Sequence, residues 1–462
     1  MRSSSTTVAA DRELPGAGFA FESRSGIMRR YFYRKLGDYL ALHIRPGDCI
    51  LEVKPIPISS GDRMERILCV HAPGVTRSEV HDLGTLKGTA IDYVVLNGNI
   101  HYERDVQEFF EFLRPVLQDS TRVIITFYSN LWKPLLRLAT TLGLRSKTPH
   151  QNWIAVEDLQ NLLLLSDYEL VRLESKLLIP VYLPFVSDLI NRFVAPLPFF
   201  RAFNLLNIAV ARPLNRTARP RLGASVSVII PARNEAGNIE AAILRVPKMG
   251  LNDELIFIEG DSTDGTWERI VEMKQKYCES HNISVERQSA RGKGDAVRQG
   301  FAMARNDIVM ILDADLTTPP EELPRFYDAI VSDKGEFING SRLVYPMEKQ
   351  AMRWLNMLAN KFFALMFSFV LGQRFKDTLC GTKALTRNNY LKLAAHRDFF
   401  GDFDPFGDFE LIFGAARMAL RIVEVPVHYR ERTYGETNIQ RWKHGAILLR
   451  MLAFSARRIK FI

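Results

Sequence analysis

The apolar run Val309-Met310-Ile311-Leu312 ends in Asp313-Ala314-Asp315. On extended backbone, side chains two positions apart point to one side, so this spacing would present both carboxylates together. Paired hard oxygens at a strand end suit Mg2+ or Mn2+, which would also hold a substrate diphosphate. A DxD pair alone is short and common, and a strand ending in solvated acids is its ordinary explanation. The surroundings change the balance. Pro231-Ala232-Arg233-Asn234-Glu235 follows one apolar run and Glu259-Gly260-Asp261-Ser262-Thr263-Asp264-Gly265 follows another. Arg291-Gly292-Lys293-Gly294-Asp295 opens a helical stretch, where glycines and cations let phosphate approach a helix N-terminus. With the DAD segment, four successive turns carry nucleotide-compatible groups.

Those turns need a sheet to bring them to one edge. The alternation reads as strand Val226–Ile230, helix Asn234–Arg245, strand Glu254–Ile258, helix Asp264–Tyr277, strand Ser284–Arg287, helix Lys293–Ala304 and strand Ile308–Leu312. Open α/β sheets bind ligands at the carboxyl ends of their strands. An earlier alternation comprises helix Tyr33–His43, strands Cys49–Val53, Arg66–Val70 and Ile91–Leu96, helix Asp105–Leu117 and strand Thr121–Phe127. Between them, Pro180, Pro184, Pro196 and Pro198 rule against one long helix over 177–206. The basic, proline-bearing stretch Arg212–Ser225 reads as a linker.

The 462 residues allow two or three domains, and 47% hydrophobic with 24% charged residues describes globular chain. A formal net charge of +9 favours an anionic partner such as a nucleotide or an acidic membrane face. Basic residues are scattered, without a nucleic-acid-binding signature, so nucleic acid is not expected as the functional partner. Cys49, Cys69, Cys278 and Cys380 form no CxxC pair and suit a reducing compartment. The N-terminus shows no apolar signal region. The apolar stretch Phe362–Leu371 is shorter than the ~20 residues a bilayer span needs.

SVSVIIPARNE, GDSTDGT, RGKGDAVRQG and MILDADLTTPPEEL together resemble glycosyltransferase family 2 on a GT-A fold, in the branch of dolichol- and polyprenol-phosphate sugar synthases. Later segments agree: Ile338-Asn339-Gly340-Ser341-Arg342, Asp377-Thr378-Leu379-Cys380-Gly381, Val423–Val427 and Arg430–Asn438. The resemblance covers roughly residues 225–440. It implies inverting transfer of a hexose from a nucleoside diphosphate sugar to a polyprenyl phosphate, with Mg2+ or Mn2+ as cofactor. By motif position, Pro231, Arg233, Asn234, Glu235, Glu259, Asp264, Lys293 and Gly294 would bind the nucleotide sugar, together with Asp313. Asp313 and Asp315 would hold the metal-diphosphate, and Arg342, Arg430 and Arg432 would contact the acceptor phosphate. Asp408 and Glu410 match acidic positions near the acceptor, although acids also simply favour a helix N-terminus. A lipid phosphate is already anionic and requires no strong base.

Three departures touch the acceptor more than the reaction class. Glu259-Gly260 stands where relatives commonly have two aspartates, Thr317 where many carry Gln or Ser, and Gly435-Glu436-Thr437-Asn438 lacks a lysine. A soluble saccharide or phosphometabolite therefore remains an alternative acceptor. Apolar Met352–Leu371 and the basic, amphipathic Trp442–Ile462 suit peripheral contact with an anionic membrane, on the inner face of the cytoplasmic membrane. Ordinary core packing is the plainer account of both.

The first half resembles a class I S-adenosylmethionine-dependent methyltransferase over about residues 30–175, on Gly47–Val53, Ile91–Asn97 and Thr121–Phe127. Lys54-Pro55-Ile56-Pro57-Ile58 replaces the glycine-rich turn and His71-Ala72 the ribose-binding acid, which implies a retained fold without the cofactor. Methyl transfer and a non-catalytic scaffold are the remaining alternatives for the whole. Asn97, His101 and Glu103 are polar near that would-be cleft, and His101 is expected to be structural. The expected organisation is α/β in two domains: a leader over 1–23, a Rossmann-like methyltransferase-type domain over 24–211, a linker over 212–224, a GT-A domain over 225–440, and a basic helix over 441–462.

Overall fold

The computed structural model describes residues 26–45, 47–53, 75–78, 86, 88–142, 152–214, 223–345, 354–399, 407–435 and 441–462. The expected leader, the strand Arg66–Val70, Lys54–Ile58, His71-Ala72 and most of the linker lie outside them. The chain divides into two compact units, Met1–Leu214 and Asn215–Ile462.

The first unit holds a six-stranded sheet of β1 Ile50–Val53, β2 Val75–Ser78, β3 Tyr93–Asn97, β4 Arg122–Tyr128, β5 Tyr168–Lys176 and β6 Leu206–Pro213. Its order is β2-β1-β3-β4-β6-β5. The first four strands are mutually parallel, whereas β6 runs antiparallel to β4 and β5 antiparallel to β6. Continuous burial of β3 and β4 is what a strand covered on both faces requires. The helix expected over 105–117 is α-helical only over Val106–Leu113, capped by Asp105 accepting from the Glu108 amide at 3.0 Å. A 3-10 turn with Pro115 takes its last residues.

The second unit is a seven-stranded sheet: β7 Val226–Ala232, β8 Glu254–Glu259, β9 Asn282–Arg287, β10 Ile308–Ile311, β11 Phe337–Ser341, β12 Lys383–Thr386 and β13 Ile422–Pro426. Its order is β13-β11-β12-β10-β7-β8-β9. Strands β7 to β10 are parallel, β12 runs antiparallel between β10 and β11, and β13 pairs parallel with β11. Two strand orders reverse at β7, so β7 and β10 flank a crevice at their carboxyl ends. The helix Lys293–Met303 packs against β7 and β8, and a Cβ at Gly300 would lie 2.5 Å from Ile229. The expected helix 234–245 is regular only over Ile239–Arg245 because residues 233–238 form the site loop. No helix among the described residues is long and apolar enough to cross a membrane.

The C-terminal helix runs Arg441–Ser455, with a π-turn over Ala456–Lys460, and packs against the helix Trp354–Leu371. Part of its basic character faces the protein. Lys460 is buried with its ammonium 4.9 Å from the Phe369 ring centre, and Arg458 lies over Phe399 and Phe454.

Candidate active site

Extended geometry does not carry the two aspartates. β10 stops at Ile311, and the Leu316 amide donates to the Asp313 carbonyl at 3.1 Å, closing a turn with Leu316 at φ +52°. The turn, rather than strand alternation, sets both carboxylates. Asp313 meets the Lys293 ammonium at 2.6 Å, from the first turn of the helix Lys293–Met303. Asp315 accepts from the Thr317 amide at 3.1 Å and its hydroxyl at 2.9 Å, and from Arg432 at 2.6 Å.

Arg432 uses its other terminal nitrogen for Glu235, at 2.7 Å. One guanidinium therefore joins the β7 turn to the β10 turn. Burial pushes the Glu235 carboxyl up to about 7, and Arg432 offsets only part of that rise. At Lys293, burial works against the charge, but Asp313 and then Asp408 outweigh it and hold the ammonium above its ordinary range. Burial likewise opposes ionisation of Asp313, and Lys293 reverses the direction.

The remaining residues of the motifs shape the turns. The Asn234 side-chain oxygen accepts from the Thr263 amide at 2.9 Å, and the Asn234 backbone amide donates to the Ser262 hydroxyl at 3.0 Å. Buried Glu259 accepts from the Ser262 amide at 2.6 Å, so its carboxylate anchors the β8 turn. Asp264 accepts from the Ala236 amide at 3.1 Å and from the Tyr434 hydroxyl at 3.1 Å. Asn234, Asp261 and Leu316 all take positive φ, at 56°, 57° and 52°. Left-handed backbone in non-glycine residues costs energy and persists only where surroundings impose it, commonly at ligand sites. Pro231 is half-buried and Arg233 exposed at the end of β7.

The opposite wall combines Arg342 and Asp408, which the resemblance implied for the acceptor, with Asp377 and Lys383, to which the sequence reading assigned no role. Asp377 grips Arg342 through both carboxylate oxygens, at 2.7 and 2.9 Å, and also accepts from Asn360 at 2.8 Å. Arg342 lowers Asp377 to about 2 despite its burial, and Asp377 in turn holds Arg342 above its ordinary range. Arg342 is thus a braced cation near Asp313, whose ionisation it favours. Fully buried Lys383 lies 3.0 Å from Asp408. A Cβ at Gly381 would lie 2.1 Å from Asp313 Oδ2 and 2.5 Å from Lys293 Nζ, so a side chain there would displace that pair. Gly407 opposes Gly294 as closely, its Cβ falling 2.7 Å from the Gly294 Cα.

Glu410, expected near the acceptor or at a helix N-terminus, lies in the first turn of the helix Asp408–Arg417. Its carboxylate is held by Arg298 at 2.8 Å and by Arg397 at 2.6 Å, which suits an anchor of the helix Asp408–Arg417. Arg430 is exposed, its amide donating to the Thr317 carbonyl at 2.9 Å. The lysine-less segment 436–440 lies outside the described residues. Spacing gave no warning of Asp377 or Lys383. The local signal at Asp377 was its place in Asp377-Thr378-Leu379-Cys380-Gly381, a segment that agrees with the resemblance.

Residues 227–392 match the family described as Glycosyl transferase family 2. Glycosyltransferase AglJ of Haloferax volcanii is 30% identical over 226 residues, 48% of this chain and 69% of AglJ. This chain belongs to glycosyltransferase family 2. A dolichol-phosphate mannosyltransferase of Pyrococcus furiosus is 38% identical over 121 residues, which are 26% of this chain and a third (33%) of that protein. Among solved structures, a glucosyl-3-phosphoglycerate synthase of Mycobacterium tuberculosis in complex with UDP matches at 21% identity and TM-score 0.38. That match covers 51% of this chain and 80% of the synthase chain. In this family 2 chain, the matched span runs from β7 through the helix Arg387–Ala394 and so includes Glu235, Lys293, Asp313, Asp315, Arg342 and Asp377. Arg432 lies beyond it.

The donor set of this family 2 site fits a hard divalent cation. Asp313 and Asp315 offer carboxylate oxygens from one turn, with Gly381 packed closely against Asp313. Among the described residues no cluster of three or more His, Cys, Asp or Glu forms a metal cage. In general, Mg2+ is held by one or two carboxylates, with substrate phosphate and water completing the shell.

Proposed function

We propose that the second unit transfers a hexose, with inversion, from a nucleoside diphosphate sugar to a polyprenyl-type phosphate at the cytoplasmic membrane face. The observation that carries this reading is the paired arrangement of Asp313 with Lys293 and of Asp315 with Arg432. Each acid already faces a cation that an incoming diphosphate and its metal would replace. Asp313 and Asp315 would hold Mg2+ or Mn2+, whose charge stabilises the departing nucleotide. Lys293, at the N-terminus of its helix, would bind diphosphate oxygen with help from the helix dipole. Arg432 would pass from the carboxylates to phosphate, an anion its planar fork binds bidentately.

Pro231, Arg233, Asn234, Glu235, Glu259 and Asp264 would form the nucleotide side of the crevice, with Gly294 admitting the backbone to phosphate. Asn234, Glu259 and Asp264 would act mainly by shaping the loops. Arg342, braced by Asp377, and exposed Arg430 supply positive potential for an acceptor phosphate. Asp408, paired with Lys383, would tune Lys293, whereas Glu410 would serve its helix. The acceptor assignment is supported by the relative named dolichol-phosphate mannosyltransferase. It is supported too by Leu358, Phe362 and Leu365, which stand exposed along one face of the helix Trp354–Leu371.

We read the first unit as a methyltransferase-type fold without cofactor chemistry. Its strand order with an antiparallel last pair supports the fold. The Asn99 amide donating to the Val53 carbonyl at 2.8 Å, across the end of β1, supports the loss.

Full-length protein incubated with labelled UDP- and GDP-sugars, Mn2+ and either polyprenyl phosphate or soluble acceptors tests the proposal. Label should enter the organic phase with polyprenyl phosphate alone. Label confined to soluble saccharide or phosphometabolite would overturn the lipid acceptor, and none with any sugar nucleotide would overturn the transfer itself.

A further inference from the structure

We infer that the first unit carries its own lipid-docking face, separate from the sugar-transfer site, and that its occupant is an anionic bilayer surface. The face begins at the arch between β5 and β6. Phe185 is 91% exposed there and holds φ +61°, a conformation that a bulky residue adopts only under constraint. The constraint is visible. Fully buried Ser187 accepts from the Leu183 amide at 2.9 Å and donates to the Val181 carbonyl at 2.6 Å. Buried Asn191 bonds both the amide and carbonyl of Ile179, at 2.8 and 2.7 Å, and reaches the Tyr31 hydroxyl at 2.8 Å. The arch is built to hold an aromatic ring outward.

Leu189, Phe193 and Phe199 are also exposed on this arch, at 60%, 48% and 73%. The helix Lys133–Thr141 extends the surface. Leu131, Leu135, Leu138 and Leu142 follow i, i+4, i+7 and i+11 spacing, and each is more than half exposed. The two pieces are joined, because Trp132 Nε1 donates to the Phe203 carbonyl at 2.8 Å and the Ser129 amide to Leu205 at 2.8 Å. Exposed apolar side chains grouped on adjoining segments commonly mark an interaction surface.

Charge selects the occupant. Residues 129–142 and 177–205 contain Lys133, Arg137, Arg192 and Arg201 but a single acid, Asp188. Asp188 is itself neutralised by Arg34 at 3.0 Å and Lys35 at 2.9 Å. Outward leucine and phenylalanine among basic residues are what an anionic headgroup layer over acyl chains complements.

The test uses the full chain and vesicles of phosphatidylcholine with about one third phosphatidylglycerol. Wild type should co-sediment, more weakly as salt rises. Phe185→Asp/Phe199→Asp should lose about tenfold or more in vesicle affinity, with an unchanged thermal midpoint and unchanged sugar-nucleotide turnover. Leu365→Asp/Leu449→Asp, in the second unit, controls for the other exposed helices. Independently, Phe185→Trp should gain fluorescence that brominated acyl chains quench, also in the Leu365→Asp/Leu449→Asp background. Unaltered affinity of the Phe185→Asp/Phe199→Asp protein, absence of quenching at position 185, or a wild-type dimer dissociated by those substitutions would overturn the inference. None of these outcomes depends on sugar transfer.

Discussion

The two sheets place polar residues at the carboxyl ends of their central strands, but the chemistry at those ends differs. Among the described residues of the first unit, Asn97, Asn99, His101 and Thr126 are satisfied by one another or by nearby backbone. Thr126 donates to Asn97 at 3.0 Å, and Asn99 closes over Val53. Buried His101 is engaged by the Asn152 carbonyl at 2.7 Å and by the Tyr128 amide at 3.0 Å. In the second unit the equivalent ends carry opposite charges from different turns, on groups that remain partly exposed: Lys293 and Asp313 keep 30% and 29% of their side-chain surface. Neutral hydrogen bonds of this kind finish a structure. Ion pairs at a crevice can trade partners with a charged substrate at small net cost, since each pair loses one partner and gains another.

The most severe way to break this contrast is to remove one exchangeable acid. Asp315→Asn should lower transfer by about 10²–10³-fold, the usual cost of deleting one charge-stabilising group, while circular dichroism still shows a cooperative fold. Chelation should abolish transfer in wild type and Mn2+ should restore it. Wild-type rates in the variant would show that the acids only finish the turn, as their counterparts do in the first unit.

Next in size is the braced cation. Asp377→Asn leaves Arg342 charged and nearly buried, a loss on the order of 3 kcal/mol, read by denaturant unfolding of the second unit. The pH dependence has a definite sign. The Asp377 carboxyl is lowered to about 2, so its stabilisation is complete above the ordinary aspartate range near 3.8 and is lost as pH falls toward 2. The variant should therefore show a flatter acid limb. Gly381→Ala comes third: its methyl would press on Asp313 and Lys293. About a tenfold fall in kcat with little change in stability is expected, because small misplacements at a reacting centre are costly.

The residues of this contrast were legible to different degrees. The strands β7, β8 and β10 and the turns after them could be read because apolar runs and polar turns are local patterns. The pairing of Arg432 with Asp315 could not, since 117 residues separate them and only the fold joins them. The turn at Asp313–Leu316 was hidden because the alternation argument assumes extended backbone, and nothing in DADL marks a positive φ. Asp377 and Lys383 escaped for another reason. Lys383 opens the short antiparallel strand β12, whose four residues carry no periodicity, and Asp377 lies in the segment leading into it. The connection between β5 and β6 was hidden because its prolines forbid a helix without showing what replaces it.

The smallest effect sharpens the comparison from the other side. Asn99→Ala removes the amide that closes over the end of β1, and a buried hydrogen bond of this kind contributes about 1 kcal/mol. Faster amide exchange should appear in β1 and β3, with transfer within about twofold of wild type. The two readouts must be taken together. If Asn99 only finishes the first unit's edge, exchange rises alone. If transfer falls in proportion, that edge is coupled to the reaction, and the division into a finished sheet and a working sheet is wrong. Should S-adenosylmethionine protect the wild-type amides, Asn99 would be closing over a cofactor site rather than filling one.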